Sequence, residues 1–152
     1  MFFLGIDPGA DGAIALVNNV GEYQDCVCAR KVTPTDMYLF LKKYQGDIPY
    51  GVLEKVSSSP QQGVKSAFSF GVSFGFVRGL LVCNAVSYEE ASPVKWMKAM
   101  NCMTNGNKNV TKAAAQRLWP TCKITHANAD ALLIAEYARR TYYARMGQNG
   151  QE

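Results

Sequence analysis

The chain has 152 residues, of which 48% are apolar and 18% charged. That is the size and composition of one ordinary globular domain, and it excludes a disordered chain. No uninterrupted apolar run reaches the roughly 18 residues that a membrane span needs, and the opening MFFLGIDPG lacks the basic segment of a signal peptide. Five cysteines (Cys26, Cys28, Cys83, Cys102, Cys122) are odd in number and scattered. They argue against a disulfide framework and for a reducing, cytoplasmic setting.

Sixteen basic and 12 acidic residues give a net charge of +4. The distribution says more. Residues 1–54 carry −3, residues 55–92 carry +1 and residues 93–145 carry +7. A basic C-terminal third is what a polyanion-binding surface needs, because each neutralised phosphate releases counterions. A solvated helical face has the same composition, so charge alone leaves nucleic acid as one option among several.

In chain order, residues 2–6 form a short apolar strand that ends at the turn signal Asp7-Pro8-Gly9. Residues 13–17 predict its hairpin partner and residues 26–32 a third strand, with Cys26 and Cys28 on one face as small core residues rather than zinc ligands. Thr33 is placed to cap a helix that has Pro34 in its first turn and Asp36 at its third position. Residues 50–56 predict a fourth strand with Glu54 embedded in it, followed by the loop Ser57-Ser58-Ser59-Pro60. A long helix is expected over 63–82. Gly71, Gly75 and Gly79 recur along it every four residues, a pattern that permits close backbone approach to a sheet or helix. A fifth strand is expected over 84–88 and helices near 93–100, 108–118 and 127–144. No linker-like break divides the chain. Three antiparallel strands followed by alternating strands and helices predict a five-stranded mixed α/β sheet flanked by helices. The domain is placed at 1–146, with a flexible tail at 147–152.

Three acids sit in unexpectedly apolar surroundings. Asp7 follows Leu4-Gly5-Ile6, Glu54 lies in Val52-Leu53-Glu54-Lys55-Val56, and Asp130 opens Ala131-Leu132-Leu133-Ile134-Ala135. Buried carboxylates are costly unless paired or metal-bound. Each could be a satisfied structural acid, Asp130 as a helix N-terminal charge for example. Together they suggest convergence on a metal, and an all-oxygen ligand set suits Mg²⁺ or Mn²⁺ better than zinc.

These residues resemble a known family. The opening Gly5-Ile6-Asp7-Pro8-Gly9-x-x-Gly12-Ala13-Ile14-Ala15 is similar to the start of RuvC-type Holliday-junction resolvases. So are Glu54 followed by Pro60-Gln61-Gln62-Gly63 and Phe70-Gly71, then Pro93-x-x-Trp96, Lys108-x-x-Thr111, Leu118-Trp119-Pro120 and the ending around Asp130. The order and spacing look most like the short bacteriophage versions, over nearly the whole chain. The resemblance implies an RNase H-like fold and a homodimeric endonuclease acting on four-way DNA. In that family two divalent ions split a phosphodiester. Its acids map onto Asp7, Glu54 and Asp130, and its later lysine onto Lys108, beside the scissile phosphate. No nucleotide cofactor is expected: there is no P-loop and no length for a second lobe.

Three departures stand out. The family's fourth metal-competent residue, three positions before the last Asp, is Ala127 here. His126, four residues before Asp130, could share that helix face and substitute. Otherwise the metal site is weaker, or the alanine is an introduced inactivating change. Met97 follows Trp96 where a lysine is common, with Lys95 and Lys98 flanking it. Ser57 stands where some members carry an aromatic wedge, a role open to Phe68 or Phe70 if those two are not core or dimer contacts. Candidate phosphate contacts are Lys55, Lys65, Lys95, Lys98, Lys108, Lys112 and Arg117. The missing fourth ligand keeps a second reading open, a junction-binding protein that does not cut.

Overall fold

The computed structural model describes residues 1–55, 57 and 63–148. Residues 60–62 of the motif after Glu54, and 149–152 of the expected tail, lie outside the described residues. Five strands form one mixed sheet in the order β3-β2-β1-β4-β5. They are β1 (Phe2–Asp7), β2 (Ala13–Asn18), β3 (Tyr23–Cys28), β4 (Tyr50–Glu54) and β5 (Tyr88–Ala91). β2 runs antiparallel to its neighbours β1 and β3, and β4 and β5 run parallel to β1. The helices are α1 (Pro34–Lys43), α2 (Val64–Cys83), α3 (Pro93–Ala99), α4 (Asn109–Leu118) and α5 (His126–Gln148). Their predicted existence and order hold.

The two-residue period of the strands divides the core. Phe3, Ala13, Ala15, Val17 and Val52 face one side, where they pack with Trp96 and with Leu132 and Ala135 of α5. Leu4, Ile6, Ile14, Leu16 and Leu53 face the other, against Leu41 of α1 and Val77 and Leu81 of α2. By the same alternation, Asp7 and Glu54 belong to the α5 side. Gly5 permits the close seating of α5. A Cβ there would be driven into the backbone of Ala131 and Ala135, 2.8 Å from the Ala135 Cα. α1 starts as predicted: Thr33 and Asp36 form a reciprocal capping box, and Pro34 opens the first turn.

Four boundaries differ from expectation. The third strand is Tyr23–Cys28 rather than 26–32, because the β2–β3 turn is tight. Gly21 has φ +88°, the Asn18 side chain accepts from the Val20 and Glu22 amides, and a 3-10 turn (Ala29–Lys31) then ends the strand. The fifth strand begins where the prediction ended. Asn84 caps α2 by donating from Nδ2 to the Leu80 carbonyl, and Ala85 turns the chain with φ +54°. Glu89 and Glu90 masked β5 as polar, yet Arg145 and Arg78 neutralise them at 2.7 and 3.5 Å. The fourth strand stops at Glu54. Gly147 and Gln148, expected in the tail, continue α5.

Among the described residues the glycines of α2 approach no sheet or helix of the same chain. A Cβ on Gly71, Gly75 or Gly79 would meet nothing within 4 Å, so they face open space. Val64, Phe68, Val72 and Val82 are exposed along the same stripe, at 87%, 73%, 57% and 71%. All seven positions fall on one helical face at spacings of three and four. By length and composition alone, α2, with a mean hydropathy of 1.5, is apolar enough to cross a membrane. Its other face, with Val77, Leu80 and Leu81, is built into the domain core.

Candidate active site

The parallel register of β1 and β4 pairs Ile6 with Leu53. The next residue on each strand is the last one, Asp7 and Glu54. Both carboxylates therefore leave the sheet at neighbouring C-terminal strand ends and on the same face. That face is covered by α5, which carries Asp130 in its second turn. The three acids line one cleft of about 740 Å³, together with Gly9, Asp11, Gly12, Arg30, Phe70, Met97, Lys108, His126 and Ala127.

Each acid is held differently. The Gly9 amide donates to Asp7 Oδ1 at 3.2 Å. Gly12 closes over Asp7 from the following turn, where a Cβ would lie 2.9 Å from the Asp7 carboxyl carbon. Glu54 Oε2 accepts from Trp96 Nε1 at 2.7 Å. Trp96 is fully buried in α3, which places a rigid donor behind the carboxylate. Asp130 Oδ1 is buried and has no hydrogen-bond partner.

The electrostatics follow. Burial raises the Asp7 pKa, the Gly9 amide opposes this, the Asp130 charge adds to it and Lys108 reduces it. Burial likewise lifts Glu54, to about 7, and the Asp7 and Asp130 charges reinforce the shift against the opposing effects of Trp96 and Lys108. Asp7 and Glu54 thus each feel the neighbouring acids, and Lys108 lowers both. Carboxylates gathered in this way favour a bound cation, because each raised pKa records unrelieved burial and like-charge repulsion.

The donor set fits a hard divalent ion: all its atoms are oxygens, and the unpartnered Asp130 Oδ1 is the atom a metal would satisfy. Among the described residues no three His, Cys, Asp or Glu side chains converge tightly enough to ligate a single ion. Two ions held by these carboxylates would need no such triple convergence on one of them.

The remaining predicted residues separate clearly. His126 is exposed and Ala127 half-buried, both at the cleft. Lys108 reaches the cleft from the start of α4, and Lys112 sits one turn further on. Lys65 lines an adjoining groove of about 520 Å³ with Ser66, Ser69 and Ser73, which shares Ala10 and Phe70 with the cleft. Lys95 is paired with Glu89 at 3.6 Å. Arg117 lines a separate hollow between α4 and α5. Lys55, Lys98 and Ser57 are exposed. Phe68 is exposed on α2, whereas Phe70 reaches the cleft. Met97 lines the cleft in place of the expected lysine. Sequence reasoning missed the support that Trp96 gives Glu54, although a buried tryptophan usually finds an acceptor for its N–H. It also passed over Arg30 and Asp11, which only the sheet register brings to the cleft.

No protein-family model matches the chain, and no curated protein sequence does. Solved structures do. The chain is similar to Thermus thermophilus RuvC at 19% identity and a TM-score of 0.63, over 97% of both chains. A second match is T. thermophilus RuvC in complex with Holliday junction substrate. It is also 19% identical, with a TM-score of 0.61 over 97% of this chain and 96% of that one. The fold is therefore RuvC-like, the RNase H-like α/β architecture expected from the sequence.

Proposed function

We propose that the chain is a structure-selective DNA endonuclease that cleaves Holliday junctions and related branched DNA with Mg²⁺ or Mn²⁺. The observation that carries this reading is the meeting of Asp7, Glu54 and Asp130 with Lys108 in one cleft. The RuvC-like fold supports it, since a neighbour of that fold is described with a Holliday junction. Asp7, Glu54 and Asp130 would hold two ions. Bound there, such ions supply an activated water and charge stabilisation for the leaving oxygen.

The chain's own residues do the rest. The Gly9 amide and the Trp96 indole fix two of the carboxylates before any substrate arrives, so little ordering is left for the reactive complex. Lys108 offsets the acids and offers a positive group to an incoming phosphate. The basic C-terminal third attracts the DNA arms.

A homodimer belongs to this reading. The exposed stripe of α2, apolar and notched by three glycines, has the shape that lets two helix backbones approach closely. A twofold pairing through it would present two clefts to a pseudo-twofold junction.

One observation favours a second reading, a junction-binding protein that does not cut: Ala127 lines the cleft where the resembling family carries a further ligand. A nicking assay on a synthetic four-way junction and a matching linear duplex, with Mg²⁺ or Mn²⁺, separates the two. Paired nicks in the junction alone support the nuclease. If Ala127→Asp creates cleavage that the unaltered chain lacks, the binder is the reading for this sequence. Absence of junction-selective binding and of nicking in both forms refutes both readings.

A further inference from the structure

The cleft holds a second cation besides Lys108. In the β2–β3 register Ala13 pairs with Cys28. One step beyond, the Ala29 amide donates to the Gly12 carbonyl at 3.0 Å. This bond draws the short turn Ala29–Lys31 over the β1–β2 loop, so Arg30 stands beside Asp11 and forms an ion pair with it. Both side chains line the cleft that contains Asp7, Glu54 and Asp130. Both are also largely exposed, at 73% and 63%.

An ion pair this wet contributes little to stability, so a competing anion exchanges with it at small cost. A guanidinium grips a phosphate through two parallel N–H bonds, which orients as well as attracts. In a cleft dominated by acids, a DNA strand needs such a grip close to the point of reaction. Asp11 opposes it twice, by occupying the guanidinium and by repelling the backbone.

We propose that Arg30 is a positioning residue that clamps a DNA phosphate at the mouth of the acidic cleft, and that Asp11 masks it until DNA arrives. This rests on the branched-DNA reading and deepens it. The free protein keeps its cleft neutral at the rim. Bound DNA takes the guanidinium from Asp11.

The test is fluorescence anisotropy of a labelled four-way junction over a salt series. Arg30→Gln is expected to weaken binding roughly three- to tenfold and to lower the salt slope by about one unit. Arg30→Lys restores the slope and only part of the affinity, as expected when charge is kept and the fork is lost. Asp11→Asn tightens binding, and by more with Arg30 present than in the Arg30→Gln background. Thermal melting stays unchanged in all of these, since the pair is exposed. Unchanged affinity and slope in Arg30→Gln, while Lys108→Ala alters both, overturns the clamp and leaves the DNA reading standing. An equal gain from Asp11→Asn in both backgrounds overturns the mask. An unaltered chain that binds no branched DNA overturns this proposal and the functional reading together.

Discussion

Glu54→Gln is expected to stabilise the protein at alkaline pH and to do little in acid. The ordinary glutamate value is 4.5, and burial beside Asp7 lifts Glu54 to about 7. A carboxyl whose folded pKa is raised binds its proton more tightly folded than unfolded. Its contribution to stability is fully present below pH 4.5 and is lost as the pH rises through 7. From about pH 5 to about pH 8 the loss amounts to at most ~2.5 kcal/mol. Glutamine keeps the shape, and its carbonyl oxygen can still accept from Trp96 Nε1, so the substitution isolates the charge. Asp25, Asp36 and Glu89, whose pKa values are lowered, tilt the whole pH profile the other way. The informative quantity is therefore variant minus unaltered chain, from urea denaturation in chelator at both pH values. The gap is expected to widen with pH, and added Mg²⁺ is expected to narrow it at pH 8 by stabilising the unaltered chain more than the variant. A gap that stays flat between the two pH values would refute the claim that Glu54 shares a buried acidic cleft.

Three further outcomes follow from the same geometry. Gly5→Ala forces α5 away from β1 and is expected to cost about 3 kcal/mol or more in chemical denaturation; a loss under about 1 kcal/mol would mean that the contact is slack. Trp96→Phe removes the donor to Glu54 and is expected to weaken divalent-ion affinity about tenfold, read by calorimetry; equal affinity would make the indole bond incidental. Gly75→Leu projects a bulky side chain from the exposed face of α2 and is expected to convert the proposed dimer into a folded monomer in sedimentation; an unchanged sedimentation coefficient rejects that face as the interface.

Much of this was legible in the sequence because the relevant signals are local. Short apolar runs ending at Asp7 and enclosing Glu54 marked two strands, whereas the face on which both acids emerge is set by the pairing of β1 with β4. The Thr33–Asp36 box wrote the start of α1 into four residues. Asp130 was conspicuous as a charge at the head of an otherwise apolar helix. Features set by distant chain partners were not legible. β5 hid behind Glu89 and Glu90, which look like loop residues until Arg145 and Arg78 arrive from other elements. The glycines of α2 have a clear period, but a period does not say whether the face looks inward or outward. Arg30 and Asp11 lie 19 positions apart and meet only through the pairing of β2 with β3.

The most direct measurement is a Mn²⁺ titration of the purified protein near neutral pH, followed by electron paramagnetic resonance. Saturable binding is expected, weakened at least about tenfold in Asp7→Asn and in Asp130→Asn, each variant remaining folded by circular dichroism. Manganese uptake that is equally tight in both variants, or undetectable in the unaltered chain, would contradict it.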